Sequence, residues 1–356
     1  AKMINESDIT FLCLPDAASI EAVELVENDN VKIIDTSTAH RTLFDWAYGF
    51  AELSEEFRNK IETSNRIAVP GCYASGFNSI VYPLVKSGFI SNDYDIVCFA
   101  MSGYTGAGKK GIAQYEDKNR DKELDSPRIY ALTQQHKHLK EMKAISNLSK
   151  EPIFTPIICD YPQGMLVNIP LYTDKMSKKY TKEDIYEMFA EHFDGSDIVK
   201  VRPLGYSENM IGSNNFANRD DMEIEINGND DRIIITSRFD NLGKGASGAA
   251  IQCLNIAMII MKYIDGGICA AKGFKASGTY CGIKKPNVEN FDPQIKHKND
   301  ICLFTSDVLC NAAAVYTQNK VKGAPILVTK ANLKKSGNKA IAVIANSKNA
   351  NTCNAD

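Results

Sequence analysis

Pro70-Gly71-Cys72-Tyr73-Ala74-Ser75-Gly76 stands between a polar, strand-like run and the helical pattern Phe77 to Val85. A strand, a glycine turn and a helix in that order are the repeating unit of a parallel α/β sheet. The same rhythm holds upstream. Ile9 to Leu14 predicts a buried strand and Pro15 to Val26 shows helical spacing; Val31 to Ile34 predicts a second strand, ending at Asp35 in a polar loop through Arg41. The sequence therefore opens inside a doubly wound domain.

From about Asp93 the strand-like runs lengthen: Tyr94 to Ala100, Ile153 to Cys159, Met165 to Leu171, Met222 to Ile226 and Arg232 to Arg238. Few helices intervene. The clearest is Lys182 to His192, behind Thr181 and Asp184 at capping-box spacing. This predicts an α+β domain with a largely antiparallel sheet. A last helix opens at Gly243 to Gly248 and runs towards Ile260, after which Met261-Lys262-Tyr263-Ile264-Asp265-Gly266-Gly267 reads like a fresh start. Beyond it, Ile301 to Thr305 and Ala340 to Ala345 are strand candidates.

The 356 residues suit two or three domains, and 44% hydrophobic with 24% charged residues is an ordinary globular balance. A net charge of -3 supplies no basic field for phosphate backbones, so a small molecule and not a nucleic acid is the expected partner. The ten cysteines are scattered without a CxxC pair, which fits reduced thiols in the cytoplasm better than a disulfide scaffold. No apolar run approaches the roughly 20 residues that span a bilayer, and Ala1 to Glu6 lacks a secretory pattern, so no membrane partner is expected.

Cys72 is the sharpest chemical feature. At a turn-to-helix junction, amide N–H groups favour a thiolate, which is a nucleophile. Such a thiol needs a base, and of five histidines His40, His136 and His138 are the credible candidates. His192 and His297 read as solvated, and no metal is expected because the histidine pair lacks a matching cysteine or carboxylate cluster. Two glycine-rich loops, Ser102 to Lys110 and Gly243 to Gly248, are able to cradle phosphates, although neither is a GxGxxG fingerprint. Asp35 to Arg41 places hydroxyls and a guanidinium at a strand end, suited to a carboxylate or phosphate or equally to a solvated loop.

Taken together, these motifs resemble the N-acetyl-gamma-glutamyl-phosphate reductase family in its shorter subtype. The matching text comprises Leu12-Cys13-Leu14-Pro15-Asp16, Asp35 to Arg41, Trp46-Ala47-Tyr48-Gly49-Phe50, Pro70-Gly71-Cys72-Tyr73, Ser102 to Gly108, Tyr130-Ala131-Leu132, His136-Lys137-His138-Leu139, Gln163-Gly164-Met165 and Asp240 to Gly248. It runs to about residue 258. The resemblance implies attack by Cys72 on an acyl phosphate, NADP as cofactor and release of a semialdehyde. It also implies His136 as acid and base, Arg41, Ser102 and His138 at the substrate, and Ser102, Gly103, Gly106, Gly108, Asn241 and Gly245 at the cofactor. The family's opening strand and glycine-rich turn are not in this sequence, and its C-terminal tail gives way near Met258 to Met261.

After Met261 the sequence resembles the start of the bifunctional ornithine acetyltransferase (glutamate N-acetyltransferase) family. The match lies in Gly266 to Ala276, Thr317-Gln318-Asn319, Ala324-Pro325 and Asn346 to Asn351. That family's nucleophile is a threonine exposed by self-cleavage further downstream, so this half is expected to be silent. The implied fold is α/β: an incomplete Rossmann-type domain (1–71, completed by the helix at 241–260), an α+β catalytic and dimerisation domain (72–240) with a mainly antiparallel sheet, and a partial α/β acetyltransferase domain (261–356). A homo-oligomer is expected. The alternatives are a functional acetyltransferase fragment or a non-catalytic fusion remnant.

Overall fold

A computed structural model describes residues 1–258, 267–270, 272–281, 299–317 and 322–346. The chain divides into two units, Ala1–Ile260 and Met261–Asp356. The restart at Met261, His297, and parts of the motifs at 266–276, 317–319 and 346–351 lie outside the described residues.

The first unit begins with a short helix, α1 (Lys2–Asn5), and a parallel sheet of β1 (Ile9–Leu12), β2 (Lys32–Asp35), β3 (Ala47–Tyr48) and β4 (Arg66–Ala68), ordered β1-β2-β4-β3. Helix α2 (Asp16–Glu24) starts directly after Pro15, a residue with no N–H to leave unsatisfied. Helix α3 (Glu55–Thr63) is capped by Ser54, whose side chain accepts the Phe57 N–H. Helix α4 (Cys72–Lys86) begins at the cysteine itself, five residues before the apolar spacing becomes periodic. Cys72 thus occupies the first helical position, with Gly71 as cap.

The second sheet has the order β6-β7-β5-β8-β11-β10-β9. Its strands are β5 (Val97–Gly103), β6 (Arg128–Ile129), β7 (Ile153–Cys159), β8 (Met165–Tyr172), β9 (Val199–Val201), β10 (Met222–Gly228) and β11 (Arg232–Phe239). The pairs β6/β7, β5/β8, β8/β11 and β10/β11 are antiparallel, while β5/β7 and β9/β10 are parallel. Helices α5 (Gly108–Glu116), α6 (His138–Ile145) and α7 (Lys182–His192) fall between them. The Thr181/Asp184 capping box is formed in both directions. One expectation shifts: the strand placed at Tyr94 to Ala100 is β5, because Tyr94 closes a turn onto Ser91 and the ladder with β7 runs on to Gly103. The first glycine-rich loop therefore leaves from a strand end.

Helix α4 packs on this sheet, with Phe77, Ile80, Val81 and Leu84 meeting Val167, Ile169, Ile235 and Phe239 in the main core. The approach is close enough that a Cβ on Gly76 would fall 2.5 Å from Val167 Cγ2. Helix α8 (Gly248–Ala257) returns to the parallel sheet, where Ala249, Ala250, Cys253 and Ala257 pack with Ile34, Ile67 and Val69. A π-helical turn, Gly243–Ser247, precedes it.

The second unit is an antiparallel sheet, β12 (Phe274–Thr279), β13 (Ile301–Asn311) and β14 (Lys339–Asn346), with helix α9 (Ala324–Lys335). Both predicted strands are present, β13 longer than expected and bulged between Thr305 and Cys310.

Candidate active site

Glu141, in the first turn of α6, is 2% exposed and forms the hub of the site. Its carboxylate accepts the Gly71 N–H at 2.8 Å, the Tyr48 hydroxyl at 2.7 Å and Arg41 Nη1 at 3.0 Å. A buried charge needs such partners. Three separate segments, the loop after β2, the end of β3 and the cap of α4, are thereby tied to α6.

Arg41 is held rather than free. Its Nε donates to Val69 O and its Nη2 to Thr36 O, so each guanidinium nitrogen already has a protein acceptor. These bonds use three of its five N–H donors and anchor Arg41 in the wall of a cleft. The exposed cations beside it are Lys137 and Lys140. They share with Thr38, His136 and Glu151 a cleft of about 600 Å³.

His136 and His138 differ sharply. His136 lines that cleft, and burial, reinforced by the charge of Lys137, pushes its pKa down to about 4. Its Nδ1 accepts the His138 backbone N–H at 3.2 Å, so a neutral ring carries its proton on Nε2, 3.4 Å from the Tyr130 hydroxyl. His138 is buried behind Gly71, where a Cβ would fall 2.4 Å from its Nε2, and its Nδ1 has no hydrogen-bond partner among the described residues. It does not line that cleft, but its ring lies 4.8 Å from that of His136, which does. The Tyr73 ring lies 5.9 Å from His136 and 6.0 Å from His138, which places both imidazoles beside the residue that follows Cys72.

Cys72 is partly exposed, yet enough protein surrounds the thiol that burial raises its pKa to about 11, against the lowering pull of the Tyr73 N–H and Arg41. The helix terminus alone does not ionise it. The expectation of a resting thiolate is corrected: desolvation outweighs the helix N–H groups.

The third candidate base, His40, is structural. Its Nδ1 lies 2.7 Å from Asp35 Oδ2 and its ring stacks on Trp46 at 4.0 Å. Burial would raise the Asp35 carboxyl, but hydrogen bonds from Ser19, Ser37 and His40 outweigh it and hold the pKa below the usual value. His192, expected to be solvated, is half-buried between Tyr82 and Phe193, and burial lowers its pKa to about 4.

The glycine-rich loops interlock. Gly103 donates to Gly164 O, and a Cβ on it would strike the Pro162–Gln163 peptide at 2.5 Å. Asn241 accepts the Gly164 N–H at 2.9 Å and donates to Thr105 Oγ1 at 2.9 Å. At Gly106 a Cβ would fall 2.9 Å from Ser102 Oγ, so backbone, Ser102 and Asn241 Nδ2 form a cradle that a side chain would fill. Gly108 adopts φ +69° with open space around it. Gly245, on the π turn, packs against Cys72.

The dimerisation domain of semialdehyde dehydrogenases matches residues 72–241. N-acetyl-gamma-glutamyl-phosphate reductase of Sinorhizobium fredii (strain NBRC 101917 / NGR234) is 42% identical over 260 residues, 72% of this chain and 84% of that protein. The chain belongs to the N-acetyl-gamma-glutamyl-phosphate reductase family. The reductase of the same name from Brucella ovis is 41% identical over 264 residues, 72% of this chain and 85% of that protein. Residues 276–356 of this reductase-family chain match a second family, ArgJ. Aspartate semialdehyde dehydrogenase II from Vibrio cholerae superposes with a TM-score of 0.58 at 16% identity, covering 72% of this chain and 81% of that one, a likeness of fold.

Sequence reasoning gave no role to Glu141, Tyr48 or Tyr73. Glu141 carried a signal, a carboxylate three residues beyond His138, but its partners were invisible.

Proposed function

We propose that the first unit reduces N-acetyl-glutamyl 5-phosphate to N-acetyl-glutamate 5-semialdehyde with release of phosphate, a step of arginine biosynthesis, using NADPH. The observation that carries this reading is Cys72 at the first position of α4, flanked by the Glu141 hub, within a chain of this reductase family. NADPH, when bound, supplies the hydride. The residues that fit it are Ser102, Gly103, Gly106, Gly108, Asn241 and Gly245, supported by the cradle at Gly106 that a Cβ would fill.

Cys72 Sγ attacks the acyl carbon, the carbon–oxygen bond to phosphate breaks, and a thioester remains; after reduction the carbon–sulfur bond breaks and the thiol returns. His136, neutral above about pH 4, takes the thiol proton as Sγ bonds to the acyl carbon, since bond formation makes that proton acidic. To do so the ring turns, freeing Nδ1 from the His138 amide; that bond is at the long end of the hydrogen-bond range. His138 and Arg41 position the Gly71–Cys72 backbone from behind, and Lys137 and Lys140 meet the anionic substrate. Replacing Cys72 with serine should abolish phosphate-dependent NADP reduction, and wild-type turnover in that variant would overturn the assignment.

The division into an NADP-binding part (1–71 with 241–260), a catalytic part (72–240) and a separate 261–356 segment is part of this proposal. So is a homodimer through residues 72–241, supported by apolar side chains left open on the second sheet, including Ile153 and Ile234. Light scattering at twice the chain mass tests it. A cytoplasmic location is supported by nine free cysteines among the described residues. The ArgJ match favours a second reading, acetyl transfer by the second unit, and acetyl transfer from N-acetylornithine by the whole chain is its test.

A further inference from the structure

An ammonium and a carboxylate are buried together behind the turn that covers Cys72. Lys244 is 2% exposed; its Nζ donates to Glu52 Oε2 at 2.9 Å and to Gln252 Oε1 at 2.6 Å, and lies 4.4 Å from the centre of the Phe50 ring. Gln252 Nε2 donates in turn to the other Glu52 oxygen. Glu52 sits in the 3-10 turn Ala51–Leu53 after β3, Gln252 on α8, and Lys244 inside the π turn Gly243–Ser247. The next residue, Gly245, is the one packed on Cys72, and its N–H donates to Asp240 O at 2.9 Å.

Two features need explaining. A buried ion pair adds little net stability compared with apolar residues of similar size, because both groups lose hydration. A π turn is rare and occurs mostly at functional sites. Both are accounted for if the pair fixes a geometry that packing alone would leave loose. The charges that bear most on the thiol are those of Arg41, Glu141 and Lys137. Lys244 reaches it through the backbone of Gly245.

We propose that Lys244 is a positioning residue: its buried pair with Glu52 and Gln252 clamps the Gly243–Ser247 turn onto Cys72 and so fixes the direction of the thiol. This rests on the reading of Cys72 as the nucleophile, and the experiment keeps the two apart.

The full chain carrying Lys244→Met together with Glu52→Leu leaves no lone charge buried. Near-UV circular dichroism establishes that it is folded. Turnover of N-acetyl-glutamyl phosphate is then measured alongside iodoacetamide alkylation of the Cys72 peptide, followed by mass spectrometry. The clamp predicts a kcat at least about tenfold lower with KM within about twofold, since small misplacements of reacting groups cost that much. It also predicts Cys72 alkylation about threefold faster or more at about pH 8, because a lifted turn exposes the thiol. Should the double variant fail to fold, Gln252→Met, which removes only the neutral member, should move both readouts in the same directions. A folded variant with kcat and alkylation rate both within about twofold of wild type overturns the proposal. If the wild type does not reduce the phosphate, the reductase reading fails, and the alkylation rate alone decides for or against the clamp.

Discussion

Gly245 lies directly against Cys72: a Cβ on Gly245 would fall 2.9 Å from the Cys72 Cβ and 3.0 Å from the Asp240 carbonyl oxygen. Neither neighbour is a flexible side-chain end that can step aside. Gly245→Ala should therefore shift the π turn or the start of α4. The expected cost is about 1–3 kcal/mol, as for other overpacked sites, and a fall in kcat larger than the rise in KM. Thermal melting and steady-state kinetics on the same preparation check both.

Glu141 satisfies an arginine, a tyrosine and a backbone amide at once. Glu141→Gln removes the charge but not the shape, leaving Arg41 buried beside a neutral group. Breaking a buried pair from one side costs about 3–5 kcal/mol, so the variant should lose stability on that scale in urea titration. A loss below about 1 kcal/mol, the size of an exposed pair, would show that the hub is more solvated than its 2% exposure implies.

Burial holds the Cys72 pKa at about 11. In the free protein, iodoacetamide should label this cysteine slowly near neutral pH, with a rate rising about tenfold per pH unit up to that value. A plateau at or below about pH 8 would mean that the thiol is already ionised before substrate arrives.

His136 and His192 are both held near pKa 4 by burial, below the ordinary value of 6.5. Between those values the unfolded chain binds more protons than the folded one. Their contribution to stability is thus complete above 6.5 and is lost as pH falls towards 4. His192→Phe keeps the ring contacts with Tyr82 and Phe193 and removes one of the titrating groups. The fall in Tm over that pH window should become shallower. An unchanged slope would show that His192 is already solvated in the folded state.

Much of the strand pattern could be read directly. Ile153–Cys159 and the capping of α7 match their sequence expectations residue for residue, because a short apolar, β-branched run and a Thr/Asp cap are local signals. Boundaries that depend on a partner could not be read. The residues of β5 are selected by the ladder with β7, and α4 starts at Cys72 because Gly71 is the cap, ahead of any apolar period.

The site shows the same division. The Pro70–Gly76 stretch and the histidine pair marked the chemistry, and the family resemblance named it. Placement was another matter: Glu141 meets Arg41, Tyr48 and Gly71 across 100, 93 and 70 residues. No window along the chain contains such contacts.

The amino-acid order by itself determined where strands and helices alternate, which residues carry reactive groups, and which family the first 260 residues resemble, since these depend on neighbours in the chain. Only the tertiary structure decided that Arg41 is anchored to Val69, Thr36 and Glu141, that His138 stands behind Gly71 while His136 faces the cleft, and that burial raises the pKa of the thiol. Those outcomes are set by desolvation and by hydrogen-bond partners brought together from distant segments, and neither exists until the chain has folded.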